Sequence, residues 1–296
     1  MKDVKKILLA TDFSSGSTAA IKQGIRLSER DGTQLDLLHV VDTSDLNDLA
    51  EALHQSPEET EKLFISNAEQ QLNKWLADIN IQNKLKPSIV SGQPLDCILS
   101  RIKEKQIDLL LVGLTGQEHE GNKTAIGVWA SKLIRTSPIR VLAVHARQKK
   151  DFRHVVACVD FSKTSHEVVQ QAINVAQIEK SHLSIIHVFQ PPWDRLRYMA
   201  PTPGSDVAFQ KRFETALMQK LKDFAPIPSD IQHDYELCPA SNCGYGIASF
   251  ARKTGADLIV LGTKGKSNLR YMLTGSTAER VLRELPCSAL VVKAVS

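Results

Sequence analysis

Lys6-Ile-Leu-Leu-Ala-Thr-Asp-Phe-Ser14 and His154-Val-Val-Ala-Cys-Val-Asp-Phe-Ser162 are one segment written twice, at an offset of 148 residues. His39-Val40 recurs as His187-Val188 at the same offset, and Arg135-Thr-Ser-Pro138 as Arg283-Glu-Leu-Pro286. Asp108-Leu-Leu-Leu-Val-Gly113 recurs as Asp257-Leu-Ile-Val-Leu-Gly262, one residue out of step. Register kept along so much of a chain marks an internal repeat rather than chance similarity. The 296 residues are enough for two domains with separate cores. The polar, basic stretch Arg147-Gln-Lys-Lys-Asp151 lies between the copies. We therefore expect domains at 1–148 and 152–296.

Within each copy, short apolar runs alternate with helical periodicity. Residues 155–159 are apolar throughout, as in a strand covered on both faces. Residues 164–178 place Val168, Val169, Ala172, Ile173, Val175 and Ala176 at helical spacing. Further strands are predicted at 183–189, 231–237, 258–261 and 289–292, and further helices at 209–224, 245–253 and 276–285. The first half gives the same order. Strands alternating with helices specify the α/β class: a doubly wound parallel sheet with right-handed crossovers and helices on both faces. Ligands bind such sheets beyond the carboxyl ends of the strands, where strand order reverses. The loops after the first and fourth strands of each half are therefore the candidate sites.

Composition narrows the function classes. Hydrophobic residues make up 42% and charged residues 24%, the balance of a soluble globular protein. A net charge of +4 is too small to argue for nucleic acid or an anionic membrane as partner. No apolar run approaches the ~20 residues of a membrane-spanning helix. The first ten residues lack the apolar core and cleavage site of a signal peptide, so a cytoplasmic location is expected. Five cysteines, an odd number in a long chain, argue against a disulfide framework. Cys238 and Cys243, even with His187 and His233, do not have zinc-site spacing, and no metal site is expected.

The chemistry is concentrated after the fourth strand of the second half, in Gly262-Thr-Lys-Gly265-Lys-Ser-Asn-Leu-Arg-Tyr-Met-Leu-Thr-Gly275-Ser276-Thr277. Glycines let backbone amides approach an anion with no Cβ in the way. Gly275-Ser-Thr opens a predicted helix, whose amino end favours phosphate. Ser276 and Thr277 add hydroxyl donors, and Lys264, Lys266 and Arg270 add positive charge. These features converge on a polyphosphate. The loop is not a P-loop: Gly265-Lys266-Ser267 resembles the end of one, but Val260 stands where its first glycine belongs. Neither first strand is followed by a G-x-G-x-x-G dinucleotide fingerprint.

The pattern Gly-x2-Gly-x9-Gly-Ser at Gly262, Gly265, Gly275 and Ser276 resembles the ATP-binding signature of the universal stress protein family. Val159-Asp-Phe-Ser162, His187-Val188 and the run from Gly275 to Val292 strengthen the resemblance. It covers both halves and so points to the tandem type. It implies two Rossmann-like, adenine nucleotide alpha hydrolase-like domains, each with five parallel strands in the order 3-2-1-4-5. It also implies adenosine near Asp160 and the backbone of Val188, with the glycine loop around ribose and phosphates. The implied cofactor-binding residues are Val159, Asp160, Val188, Gly262, Thr263, Lys264, Gly265, Gly275, Ser276 and Thr277. The cofactor is ATP, or AMP or ADP, with magnesium arriving on the phosphates. Family members commonly pair through the last strand. Residues 141–144 and 289–292 are expected to pair within the chain as a pseudo-dimer, with a homodimer as the alternative.

No nucleophile–base pair or carboxylate cluster for two metals is visible, so no catalytic residue is assigned and any ATP hydrolysis is expected to be slow. Asp12 is expected to cap a helix, and His39 and His187 to be structural. The leading reading is an ATP-binding stress protein, a nucleotide-dependent switch or chaperone-like factor with an unidentified protein partner. The rival is an interaction scaffold in which nucleotide is incidental. An adenylating ligase ranks below both, because Thr11-Asp-Phe-Ser14 and Val159-Asp-Phe-Ser162 occupy the place of its usual Ser-Gly-Gly loop. The two halves are expected to differ. The first-half loop runs from Gly116 to Gly127 with ten residues between, and Val128 and Trp129 replace the two hydroxyl residues.

Overall fold

The computed structural model describes residues 4–81, 85, 87–115, 127–148, 151–193, 207–263 and 285–293. The chain divides into two compact units, one ending at Arg147 and the other beginning at Gln148. The first contains β1 (Lys6–Thr11), α1 (Ser15–Asp31), β2 (Gln34–Asp42), α2 (Leu46–Ala52), α3 (Pro57–Asp78), β3 (Pro87–Gly92), α4 (Pro94–Lys105), β4 (Leu109–Gly113), α5 (Val128–Thr136) and β5 (Arg140–Val144). The second contains β6 (His154–Cys158), α6 (Lys163–Glu179), β7 (His182–Phe189), α7 (Val207–Phe224), β8 (His233–Pro239), α8 (Cys243–Thr254), β9 (Leu258–Gly262) and β10 (Ser288–Val292).

All the strand pairs within each unit are parallel, in the order β3-β2-β1-β4-β5 in the first and β8-β7-β6-β9-β10 in the second. This is the 3-2-1-4-5 order that the resemblance implies. The first strand lies in the middle, and strand order reverses between it and the fourth. The first and fourth strands of each unit are buried: Leu8 and Leu9 in β1, Leu109 to Leu111 in β4, Val155 to Ala157 in β6 and Ile259 and Val260 in β9 are at most 1% exposed. Covering on both sides explains why these strands read as continuous apolar runs rather than alternating ones.

The repeated aspartates at the start of β4 and β9 have a structural task. Asp108 Oδ2 accepts the amides of Lys5 (2.8 Å) and Lys6 (2.9 Å), and Asp257 Oδ2 accepts those of Arg153 (2.9 Å) and His154 (3.0 Å). Each carboxylate thus clamps the entry of the central strand from the strand beside it. Hydrogen bonds to a charged acceptor contribute about 1.5–3 kcal/mol when buried and less when exposed. Asp257→Ala is expected to lower the unfolding free energy by about 2 kcal/mol. Urea unfolding should show an earlier midpoint at unchanged slope.

Most strand and helix boundaries lie within two residues of the sequence reading. The strand predicted at 231–237 begins at His233, because Ile231 closes a turn by donating its amide to Pro228 (3.1 Å) while its side chain is buried. The first unit adds the short α2, and α3, the counterpart of α7, has its start fixed by a reciprocal cap. Ser56 Oγ accepts the amide of Glu59, and the Glu59 carboxylate accepts that of Ser56. The helix predicted at 276–285 lies almost wholly outside the described residues.

Candidate functional site

The site is built where β6 gives way to α6. Phe161 takes the left-handed conformation with φ 60°, and Phe13, its counterpart after β1, has φ 64°. A bulky residue is rarely found there, at a cost of about 1–3 kcal/mol. Ring packing offsets part of that cost. Phe161 lies 4.5 Å from the His187 ring, and Phe13 stacks on His39 at 4.3 Å between centroids. The sharp turn brings the helix amino end back over the strand. Ser162 and Ser14 then cap the helices, their side chains accepting the amides of Ser165 and Ser17.

The aspartates stand one step behind those caps. Asp160 Oδ1 accepts the Ser162 amide (3.0 Å) and the Ser165 hydroxyl (2.6 Å). Asp12 Oδ1 accepts the Ser14 amide (3.1 Å) and the Ser17 hydroxyl (2.7 Å). The expectation that Asp12 caps α1 is therefore corrected: Ser14 is the cap, and Asp12 braces the turn that presents it. The two aspartates make matching bonds, so this geometry does not separate their roles.

His187 Nδ1 lies 2.7 Å from the Val159 carbonyl, and His39 Nδ1 lies 2.9 Å from that of Thr11. A carbonyl only accepts, so each Nδ1 carries the proton. Burial pushes both rings below the ordinary histidine range. Neutral rings locked to backbone carbonyls are structural, and they hold β2 and β7 to the turns after β1 and β6.

Of the sequence-predicted residues, Val159, Asp160, Val188, Gly262 and Thr263 are described. Val159 is buried and donates its amide to Ile186 (2.9 Å). Val188 lies against α8, its Cγ1 2.6 Å from where a Cβ on Gly246 would stand. Gly262 ends β9, and Thr263 donates to the Val292 carbonyl (3.0 Å). A Cβ on Gly262 would meet Thr164 Cγ2 at 2.7 Å, so glycine has a packing reason here apart from any ligand. β6 lies between β7 and β9, so these residues gather at one end of one sheet. Lys264, Gly265, Gly275, Ser276 and Thr277 lie outside the described residues. One cation was missed by sequence reading: Lys220 of α7 places its ammonium 4.5 Å over the Phe161 ring. It precedes Gly262, the first residue of the motif, by 42 residues (262 − 220), with nothing local to flag it.

Among the described residues no three histidine, cysteine, aspartate or glutamate side chains form a metal-holding group. Burial pushes the Cys238 thiol up to about 11 and raises that of Cys243. Protonated thiols are poor ligands and poor nucleophiles. No helix among the described residues is long and apolar enough to cross a membrane.

The family model described as "Universal stress protein family" matches residues 3–145 and again 151–293. A universal stress protein E homolog of Haemophilus influenzae is 24% identical over 98% of this chain and 97% of its own. A universal stress protein of Methanocaldococcus jannaschii is 32% identical over 148 residues, covering 48% of this chain and 82% of its own. The crystal structure of a universal stress protein from Archaeoglobus fulgidus superposes with a TM-score of 0.65, at 18% identity, over 98% of this chain and 99% of that one.

Proposed function

The chain belongs to the universal stress protein family, and on that premise we propose that its second half binds ATP and serves as a nucleotide-dependent switch in the stress response. One observation carries this reading. The Gly-x2-Gly-x9-Gly-Ser pattern starts on Gly262, the last residue of β9, and β9 pairs with β6, whose following turn holds Asp160. The phosphate-binding sequence thus begins at the carboxyl edge of the sheet, at the reversal point where ligands of such sheets bind. Asp160 and the backbone of Val188 would hold adenosine. Gly265, Gly275, Ser276 and Thr277 would surround ribose and phosphates, with Lys264, Lys266 and Arg270 supplying charge and magnesium entering with the phosphates. The sequence offers no nucleophile–base pair to activate water, so hydrolysis would be slow and binding itself would be the signal to a protein partner.

The test is calorimetric titration of the purified chain with ATP, together with analysis of any nucleotide it retains. Gly275→Asp puts a carboxylate into the phosphate cradle. Lost hydrogen bonds and like-charge repulsion of about 3 kcal/mol together correspond to roughly a hundredfold loss of affinity. A folded Gly275→Asp chain that binds ATP as before would overturn the assignment. Partner capture that ignores ATP would favour the scaffold reading.

A further inference from the structure

The first half has its own cavity, at the place where the second half carries the residues just described. It measures about 210 Å³ and lies beyond the carboxyl ends of β1, β2 and β4, against the starts of α4 and α5. Leu38, Val40, Pro94, Ile98, Val128 and Leu133 give it apolar walls. Among the described residues on its lining, the charged side chains are Asp12 and Asp42, and none is a lysine or arginine. Burial disfavours the charged form of His39, also on the lining. At the start of α5, Gly127, its N-cap, donates its amide to the Leu114 carbonyl (2.9 Å) and no side chain caps the helix, so selection against an anion rests on Asp12 and Asp42 rather than on the helix end.

We propose that this cavity is a second ligand site, which takes a neutral or cationic one- or two-ring compound that carries no phosphate. The class follows from size and charge. An engineered apolar cavity of roughly 150 Å³ holds benzene, so this one accommodates a ring system slightly larger. Apolar walls with a few polar groups are the usual make-up of a small-molecule pocket. Carboxylates accept hydrogen bonds from ligand N–H groups, attract a cation and repel an anion. Trp129, another lining residue, adds an aromatic surface. The inference goes beyond the nucleotide reading, since it uses neither the second half nor a phosphate.

Three probes with one bicyclic ring and three charges test it on the full chain: tryptamine, indole and indole-3-acetate. Binding is followed by calorimetry and by saturation-transfer NMR, with and without ATP. Tryptamine and indole are expected to bind saturably, one per chain, with or without ATP. Indole-3-acetate should bind at least roughly tenfold more weakly than tryptamine. Val128 lines the cavity yet is 45% exposed, so Val128→Phe fills the space from the surface and should abolish probe binding while leaving ATP binding unchanged. Asp42→Asn, at an exposed position, should remove most of the advantage of tryptamine over indole. Absence of saturable binding by indole and tryptamine overturns the proposal, as does equal affinity for all three probes or binding indifferent to both variants. A chain that fails to bind ATP but gives this probe pattern would overturn only the nucleotide reading.

Discussion

Gly113→Ala is expected to destabilise the first half by about 3 kcal/mol or more, while Gly262→Ala, its counterpart in the repeat, costs the second half much less. The difference lies in what a new Cβ meets. At Gly113 it would stand 2.4 Å from the carbonyl carbon of Gly16 and 2.6 Å from the Ser17 nitrogen, both backbone atoms of the first turn of α1. Backbone at a helix start cannot give way without breaking the Ser14 cap and the bond from Ser14 Oγ to the Thr115 carbonyl (3.2 Å). Overpacking of a core costs about 1–3 kcal/mol even where side chains can yield. At Gly262 the obstacle is a Thr164 methyl at 2.7 Å, which a small side-chain shift relieves. Unfolding followed by fluorescence in a Trp193→Phe background reports the first half alone, through Trp75 and Trp129. A loss of about 3 kcal/mol in a unit of this size lowers the melting temperature by about 6–12 °C. Equal losses for the two alanine variants would refute the argument.

That contrast marks where the sequence is legible. The repeat, the α/β order and the carboxyl-end location of the candidate site are written in hydrophobic periodicity and in the twice-copied Asp-Phe-Ser segment. Buried parallel strands must be apolar throughout, so β1, β4, β6 and β9 announce themselves. The turns do not. Phe13 and Phe161 adopt a conformation that sequence reading assigns to glycine, and the stacking histidine that supports each lies on the neighbouring strand. Asp108 and Asp257 are visible as repeats, but the amides they bind are about a hundred residues earlier in the chain. Asp12 looked like a helix cap because a short carboxylate before a helix usually is one. Ser14, two residues on, takes that place. Gly16 and Thr164 occupy matching positions, and nothing in either residue reveals that the first-half backbones approach more closely. The cavity in the first half is likewise a product of packing among β1, β2, β4, α4 and α5.

The second large effect is on stoichiometry: the intact chain is expected to bind one ATP, through its second half. Asp12 and Asp160 hold nearly the same hydrogen bonds, so the turn alone would predict two sites. The halves differ where phosphates would lie. In the first, Val128 and Trp129 open α5 after Gly127, an apolar pair at the positions of Ser276 and Thr277 in the repeat. The preceding loop carries Glu118, Glu120 and a single Lys123, against Lys264, Lys266 and Arg270 in the second. Each charge in a water-accessible site contributes only about 1 kcal/mol. Several of them, with two lost hydrogen bonds of about 0.5–1.5 kcal/mol each, separate the affinities by orders of magnitude. Asp160→Ala should therefore weaken ATP binding roughly tenfold or more, the loss of about one charge-assisted hydrogen bond. Asp12→Ala should leave ATP binding unchanged. Because both substitutions remove a matching turn brace, they should lower stability by similar amounts, which separates ligand contact from folding. Calorimetry on the three chains decides it: two equivalent sites in the unmodified chain, or equal ATP losses in the two variants, would show that the halves are not specialised.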